Sequence, residues 1–248
     1  MKNLTEHPGA PDIESSTSNY ARRFEGLIGQ WFIDVQSCGT HKLLAKAGLL
    51  TPGLKVLDVG GGHGQNVNIM NTLGHKLTIL GSDLSCKYLL TDALYNGAAT
   101  FSVGDLKGLP FKDDEFDVVL CYRVMAHIDD WKMLVQELCR VSRSLVIVDF
   151  SSATSVNVFS DIFFNLKKTV EENTRYFRLH KVKDVVQAFT ATGATPAFRY
   201  HQFFFPMAAH RALKCKGISI LLEKISRVVG LTRLLGSPVL FSFKPARK

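Results

Sequence analysis

The chain has 248 residues, 46% of them hydrophobic, which fits one large α/β domain or one domain with an added lid. Its formal charge of +8 admits an acidic partner, whether nucleic acid, anionic lipid or an acidic small molecule, without requiring one. Cys38, Cys86, Cys121, Cys139 and Cys215 are odd in number and form no C-x-x-C, which argues against a disulfide frame or a zinc site and for reduced thiols in a cytoplasmic protein.

Residues 1–18, with Pro8, Gly9, Pro11 and a Ser/Thr cluster, read as a disordered tail. Met1 to Pro11 lacks an apolar h-region, so no signal peptide is expected. No stretch reaches ~18 consecutive apolar residues, so no membrane-spanning helix is expected either. Residues 19–248 read as a single domain. Phe24, Leu27, Ile28, Trp31, Phe32 and Val35 recur at helical spacing, and Leu43, Leu44 and Ala47 continue the pattern as a further helix after Gly39.

Leu54 to Val59 is an apolar run that reads as a buried strand, with Asp58 near its end. Gly60, Gly61, Gly62 and Gly64 follow at once, and a helical pattern begins near Gln65. Strand, glycine turn and helix start together make a nucleotide-binding corner, because glycine lets the backbone turn sharply and a helix start offers free N–H groups. A dinucleotide fingerprint would need a glycine at position 65, which is Gln65. The run is instead G-x-G-x-G, through Gly60, Gly62 and Gly64, and it resembles motif I of class I S-adenosylmethionine (SAM) methyltransferases. A purely structural turn is the competing reading.

Lys76 to Gly81 reads as the second strand, followed by Asp83 and Leu84. An acid at this place can accept both ribose hydroxyls of a nucleotide. Asp83 could instead cap the helix that runs from Cys86 to Asn96 and stops at Gly97, with Ser85 as a rival cap. Thr100 to Leu106 reads as the third strand. The resemblance implies that Asp105 pairs with the adenine amino group and that Leu106 lines the ring; otherwise Asp105 is a turn residue.

After an acidic turn over 108–115, Phe116 to Cys121 reads as the fourth strand, apolar on both faces as a buried parallel strand should be. The succession Gly104-Asp105-Leu106, Leu109-Pro110-Phe111 and Phe116-Asp117-Val118-Val119 resembles the type 11 group, which includes ubiquinone and menaquinone methylases. The resemblance covers about residues 54–150. It implies that the next segment, Tyr122 to Ile128, lies beside the methionine part of SAM and the acceptor. Tyr122 is then a cofactor neighbour, and His127 a candidate general base or a structural histidine. Arg123 could bind an acidic acceptor or merely a surface carboxylate. Asp129 or Asp130 caps a helix to Val141, and Leu145 to Phe150 is the fifth strand.

This alternation predicts a Rossmann-like, seven-stranded, mostly parallel sheet with helices on both faces. The SAM-binding core is placed at 49–150, with lid or substrate elements at 19–48, 151–181 and 207–235. Ligand then sits at the carboxyl ends of the strands, where Gly60, Asp83, Asp105, Tyr122 and Phe150 fall. Asp58 is read as orienting the glycine loop. Tyr20, Arg123, Phe150 and Tyr176 are candidate acceptor contacts, and Trp31 is read mainly as packing against the sheet.

Val182 to Thr192 is a further helix, and Ala197 to Phe205 the sixth strand. The resemblance implies a tight hairpin to the seventh strand, Pro238 to Phe243, yet about thirty residues intervene. In them, Ile218, Leu221, Leu222, Ile225, Val228 and Val229 form an apolar stripe, with Lys214, Lys224, Ser226 and Arg227 assigned to the polar face. Such a basic amphipathic helix can lie on an anionic membrane, or pack as a lid or homodimer face.

The expected function is methyl transfer from SAM to a small-molecule acceptor, apolar or aromatic, with no metal. An RNA or protein methyltransferase is the alternative, but there is no dense Lys/Arg tract and no nucleic-acid appendage. A non-catalytic SAM-binding scaffold is the third reading.

Overall fold

The computed structural model describes residues 22–62, 64–82, 90, 96–155 and 178–246. The tail, Tyr20, Asp83, Leu84, the helix expected at 86–96, Tyr176 and most of the 151–181 segment lie outside the described residues. Seven strands form one sheet: β1 (Lys55–Val59), β2 (Lys76–Gly81), β3 (Thr100–Val103), β4 (Phe116–Cys121), β5 (Ser142–Phe150), β6 (Thr195–Phe203) and β7 (Ser237–Lys244). Their order is β3-β2-β1-β4-β5-β7-β6, and β7 alone runs antiparallel to its neighbours.

The strands are buried on both faces because helices cover both. On one face, α1 (Gly26–Ala47) and α2 (Val67–Thr72) close a core of Leu43, Leu44, Met70, Ile79, Val118 and Ile147. On the other, α3 (Trp131–Val141) and α4 (Val182–Thr190) close one around Leu57, Val119, Leu134, Val146 and Phe189. No helix among the described residues is long and apolar enough to cross a membrane.

Two local expectations are corrected. Gly39 does not break the leading helix; α1 is continuous over 22 residues. A Cβ at Gly39 would lie 2.5 Å from the Tyr200 ring and 2.6 Å from Leu240, so glycine here lets the helix sit close on β6 and β7. Gly39→Leu should lower stability by about 1–3 kcal/mol through overpacking, read as a lower urea midpoint. Nor does an aspartate cap α3 with its side chain. Asp130 stands at the cap position, but its carboxylate accepts from Lys107 Nζ at 2.8 Å.

The insertion between β6 and β7 holds three helices: α5 (Met207–Leu213), α6 (Lys216–Val228) and α7 (Leu231–Leu235). Its apolar stripe, which the sequence leaves open as a membrane, lid or dimer face, turns away from the protein. Ser219, Glu223 and Ser226 face inward, while Ile218, Leu221, Ile225 and Val228 face out. The cause lies at the end of β6, where Phe204 and Phe205 leave two backbone N–H groups without strand partners. Glu223 accepts both, at 2.8 and 2.9 Å, and also meets His210 Nε2 at 3.0 Å. Glu223→Ala should cost about 2–4 kcal/mol by stranding these donors, again read as the urea midpoint.

Candidate active site

The carboxyl end of β1 leads into a turn whose shape only glycine tolerates. Gly60, Gly62 and Gly64 have φ of 68°, 50° and 67°. The Gly60 N–H donates to Leu80 O at 2.9 Å, which ties the turn to β2. A Cβ on Gly60 would lie 2.4 Å from Val124, and one on Gly61 2.7 Å from the Asp58 carboxylate. Gly62 differs: among the described residues a Cβ there would meet nothing nearer than Gly60 O at 3.7 Å. Its side of the turn is open to a close approach.

Asp58 lies beneath this turn, 1% exposed. Its Oδ2 accepts from Asn66 Nδ2 at 2.9 Å. Its Oδ1 is buried and has no hydrogen-bond partner among the described residues. Burial pushes the Asp58 carboxyl up to about 6, although Asn66 and the Arg123 charge pull it back. A buried carboxylate oxygen without a partner suits a cationic or N–H-bearing ligand group.

From Asp58 a polar chain crosses the site. Asn66 Oδ1 accepts from Gln36 Nε2 at 3.2 Å, and Gln36 Oε1 from Arg123 Nη1 at 2.8 Å. The Arg123 backbone N–H donates to Asp149 Oδ1. Arg123 has φ of 61°, a strained conformation for a residue with a side chain, held on one side by Asp149 and on the other by Gln36. Burial raises the Asp149 pKa as well, with Arg123 opposing. The chain thus joins the ends of β1, β4 and β5 to α1.

Gln36, Asn66 and Asp149 were not among the residues expected from sequence. Their partners lie up to 87 positions away, so no local pattern marks them. The one available signal was weak: Gln36 and Thr40 are polar residues four apart on an otherwise apolar helix face.

Several expected site residues have partners within the fold. The Tyr122 hydroxyl is 2.8 Å from Thr40 Oγ1, which itself donates to Gln36 O, so Tyr122 donates to Thr40. Its hydroxyl therefore ties α1 to the end of β4, and burial drives its pKa far up. The Arg123 guanidinium is taken by Gln36 and lies over the Phe24 ring. Phe150 is 2% exposed and packs in the core near His180, and Leu106 is fully buried. Asp105 is exposed, and its Oδ1 accepts from the Lys107 N–H at 2.9 Å, as a turn residue does. Trp31 packs against Phe32, Phe203 and His210.

His127 is half-buried in a short 3₁₀ turn, Met125–His127. The chain returns to this turn at 178–180. There Arg178 N donates to Ala126 O, and its guanidinium meets Asp129. His180 lies between Trp131 and Phe150 and bonds the Met125 backbone, and burial pushes its pKa below the usual histidine value. Among the described residues, no group of three His, Cys, Asp or Glu side chains gathers as metal ligands.

Residues 57–147 match the family model of the methyltransferase domain. The chain is similar to a demethylmenaquinone methyltransferase of Renibacterium salmoninarum, 30% identical over 151 residues, covering 57% of this chain and 63% of that protein. It is also similar to an O-methyltransferase of Aspergillus sclerotiorum, 31% identical over 158 residues, covering 56% and 60%. The chain thus spans less than two thirds of the length of these relatives. Among solved structures, the magnesium protoporphyrin IX methyltransferase of Synechocystis PCC 6803 with bound S-adenosylhomocysteine superposes with a TM-score of 0.60. It is 17% identical, over 95% of this chain and 97% of that one, and shares the fold.

Proposed function

We propose, from the class I, type 11 methyltransferase domain that this chain carries, that it transfers the methyl group of SAM to a small, apolar or aromatic acceptor. One observation carries the reading: the glycine turn, open at Gly62, lies over a buried carboxylate oxygen that has no partner among the described residues. SAM, when bound, supplies an electrophilic sulfonium methyl and a primary ammonium group.

In this reading Gly60, Gly61, Gly62 and Gly64 admit the methionine portion at backbone distance. Asp58 would accept from the ammonium of bound SAM through Oδ1. Asp83 would hold the ribose hydroxyls, and Asp105 would meet the adenine edge, with Leu106 lining the ring. Arg123 and Asp149 hold the end of β4 in its strained shape and so fix the floor under the reacting atoms. The residues' main work is orientation, since holding the acceptor in line at near-attack distance removes much of the barrier. Where the acceptor carries a proton, His127 would take it as the acceptor's bond to the methyl carbon forms and the carbon–sulfur bond breaks, with S-adenosylhomocysteine as the leaving group. Tyr122 acts through Thr40, keeping α1 closed over the site. Tyr20 and Tyr176 are assigned to the acceptor side, whereas Phe150 supports it from the core.

A second reading is a SAM-binding subunit without turnover. It is favoured by the two large side chains Tyr122 and Arg123 at the end of β4, both engaged by α1. The test is transfer of label from methyl-labelled SAM to a panel of quinols, phenols and bulk RNA. Labelled quinol or phenol supports the proposal. Label in RNA alone, or SAM binding without any transfer, replaces it.

A further inference from the structure

A helix packed on a protein ordinarily buries its apolar stripe and shows water its polar one. α6 does the opposite. Its inward face is Ser219, Glu223 and Ser226, drawn in by the unpaired N–H groups of Phe204 and Phe205. Its outward face is Ile218, Leu221, Ile225 and Val228, spaced three and four apart on one side. Leu213 at the end of α5 and Leu234 in α7 are exposed as well. Of the twelve large hydrophobic side chains exposed among the described residues, nine lie within 213–235; Val228 is 87% exposed and Leu234 71%. A cluster of this kind marks a surface that is covered in use.

Charge decides what covers it. Residues 207–235 hold six Lys or Arg and one acid, Glu223, which is buried. Lys214, Lys224 and Arg233 are exposed beside the apolar stripe, and no carboxylate of the segment reaches solvent. A second copy of the chain would set the same cations against each other. An anionic lipid surface would attract each of them, at about 1 kcal/mol per cation near the surface. The topology adds position. β6 ends and β7 begins with Phe203 opposite Ser237, and β7 lies antiparallel to β5 with Val239 opposite Phe150. The insertion therefore sits at the carboxyl edge of the sheet, the same edge as the glycine turn.

We propose that the α5–α7 insertion docks this protein on an anionic bilayer, its Leu/Ile/Val stripe inserted among the acyl chains and its lysines and arginines at the headgroups. An apolar acceptor dissolved in the bilayer then reaches the site edge without crossing water. That last step alone rests on the methyl-transfer reading; the docking does not.

The test is co-sedimentation of the full chain, without SAM, with vesicles of phosphatidylcholine or of an equal mixture of phosphatidylcholine and phosphatidylglycerol. Binding to the mixed vesicles, weakened by salt, is expected. Leu221→Ser/Ile225→Ser/Val228→Ser should lower it about tenfold or more. These positions are exposed, so an unchanged urea midpoint verifies the fold. Equal binding by wild type and variant, or none by wild type, overturns the proposal. So does a wild-type dimer in sedimentation velocity that the variant dissociates.

Discussion

Asp58→Asn should make the ligand-free protein more stable and the SAM complex weaker. The carboxyl of Asp58 is pushed from 3.8 to about 6 in the folded state, chiefly by burial. A raised acid pKa means that the native state holds its proton more tightly than the unfolded chain. Its ionisation therefore costs stability, beginning near pH 4, growing as pH rises to about 6, and constant above that. Below pH 4 both states are protonated and the cost is absent. The shift corresponds to roughly 2–3 kcal/mol at neutral pH. Asparagine keeps an oxygen for Asn66 Nδ2 and removes the charge. The variant should thus gain about 2 kcal/mol over wild type at pH 7.5, and the gain should vanish near pH 4, measured by urea titration at both values. SAM affinity should move the other way. Loss of a charged hydrogen bond costs about 1.5–3 kcal/mol, or roughly 10- to 100-fold in Kd by calorimetry. Wild-type affinity should rise with pH through about 6 as Asp58 ionises, and the variant's should not. A variant destabilised at pH 7.5 would mean that the carboxylate has a partner within the fold.

Gly60→Ala and Gly62→Ala should separate the fold from the ligand at one turn. At Gly60 the added methyl meets Val124 Cγ2 at 2.4 Å, on a backbone with φ of 68°. Val124 is β-branched and buried, so it gives little. Strain and overlap together should cost about 2–4 kcal/mol. At Gly62 the methyl meets no atom of the described residues nearer than 3.7 Å, and among them only the positive φ opposes it. That variant should lose about 1 kcal/mol of stability yet at least tenfold in SAM affinity, because its methyl stands where the ligand approaches. Equal stability losses, or unchanged affinity in Gly62→Ala, would place the ligand elsewhere.

Much of the fold could be read from the sequence because its strands are short apolar runs bounded by turn residues. Lys76–Gly81 and Phe116–Cys121 have the bounds expected of them. The glycine corner was legible for the same reason, being local. What escaped was set by contacts distant in sequence. Gln36, Asn66 and Asp149 belong to one polar chain only once α1, β1 and β5 are side by side. Arg123 offers no sign in sequence that its backbone is strained by Asp149. The periodicity of α6 revealed an apolar stripe, but periodicity does not say which side faces the protein. Glu223 does, through two N–H groups at the end of another element.

The most direct test is calorimetric titration of the purified protein with SAM and with S-adenosylhomocysteine, beside Asp58→Asn and Asp83→Ala. Both ligands should bind in the micromolar range, and each variant should bind at least tenfold more weakly. Binding of neither ligand, or binding that both variants leave unchanged, would contradict the assignment of this corner to SAM.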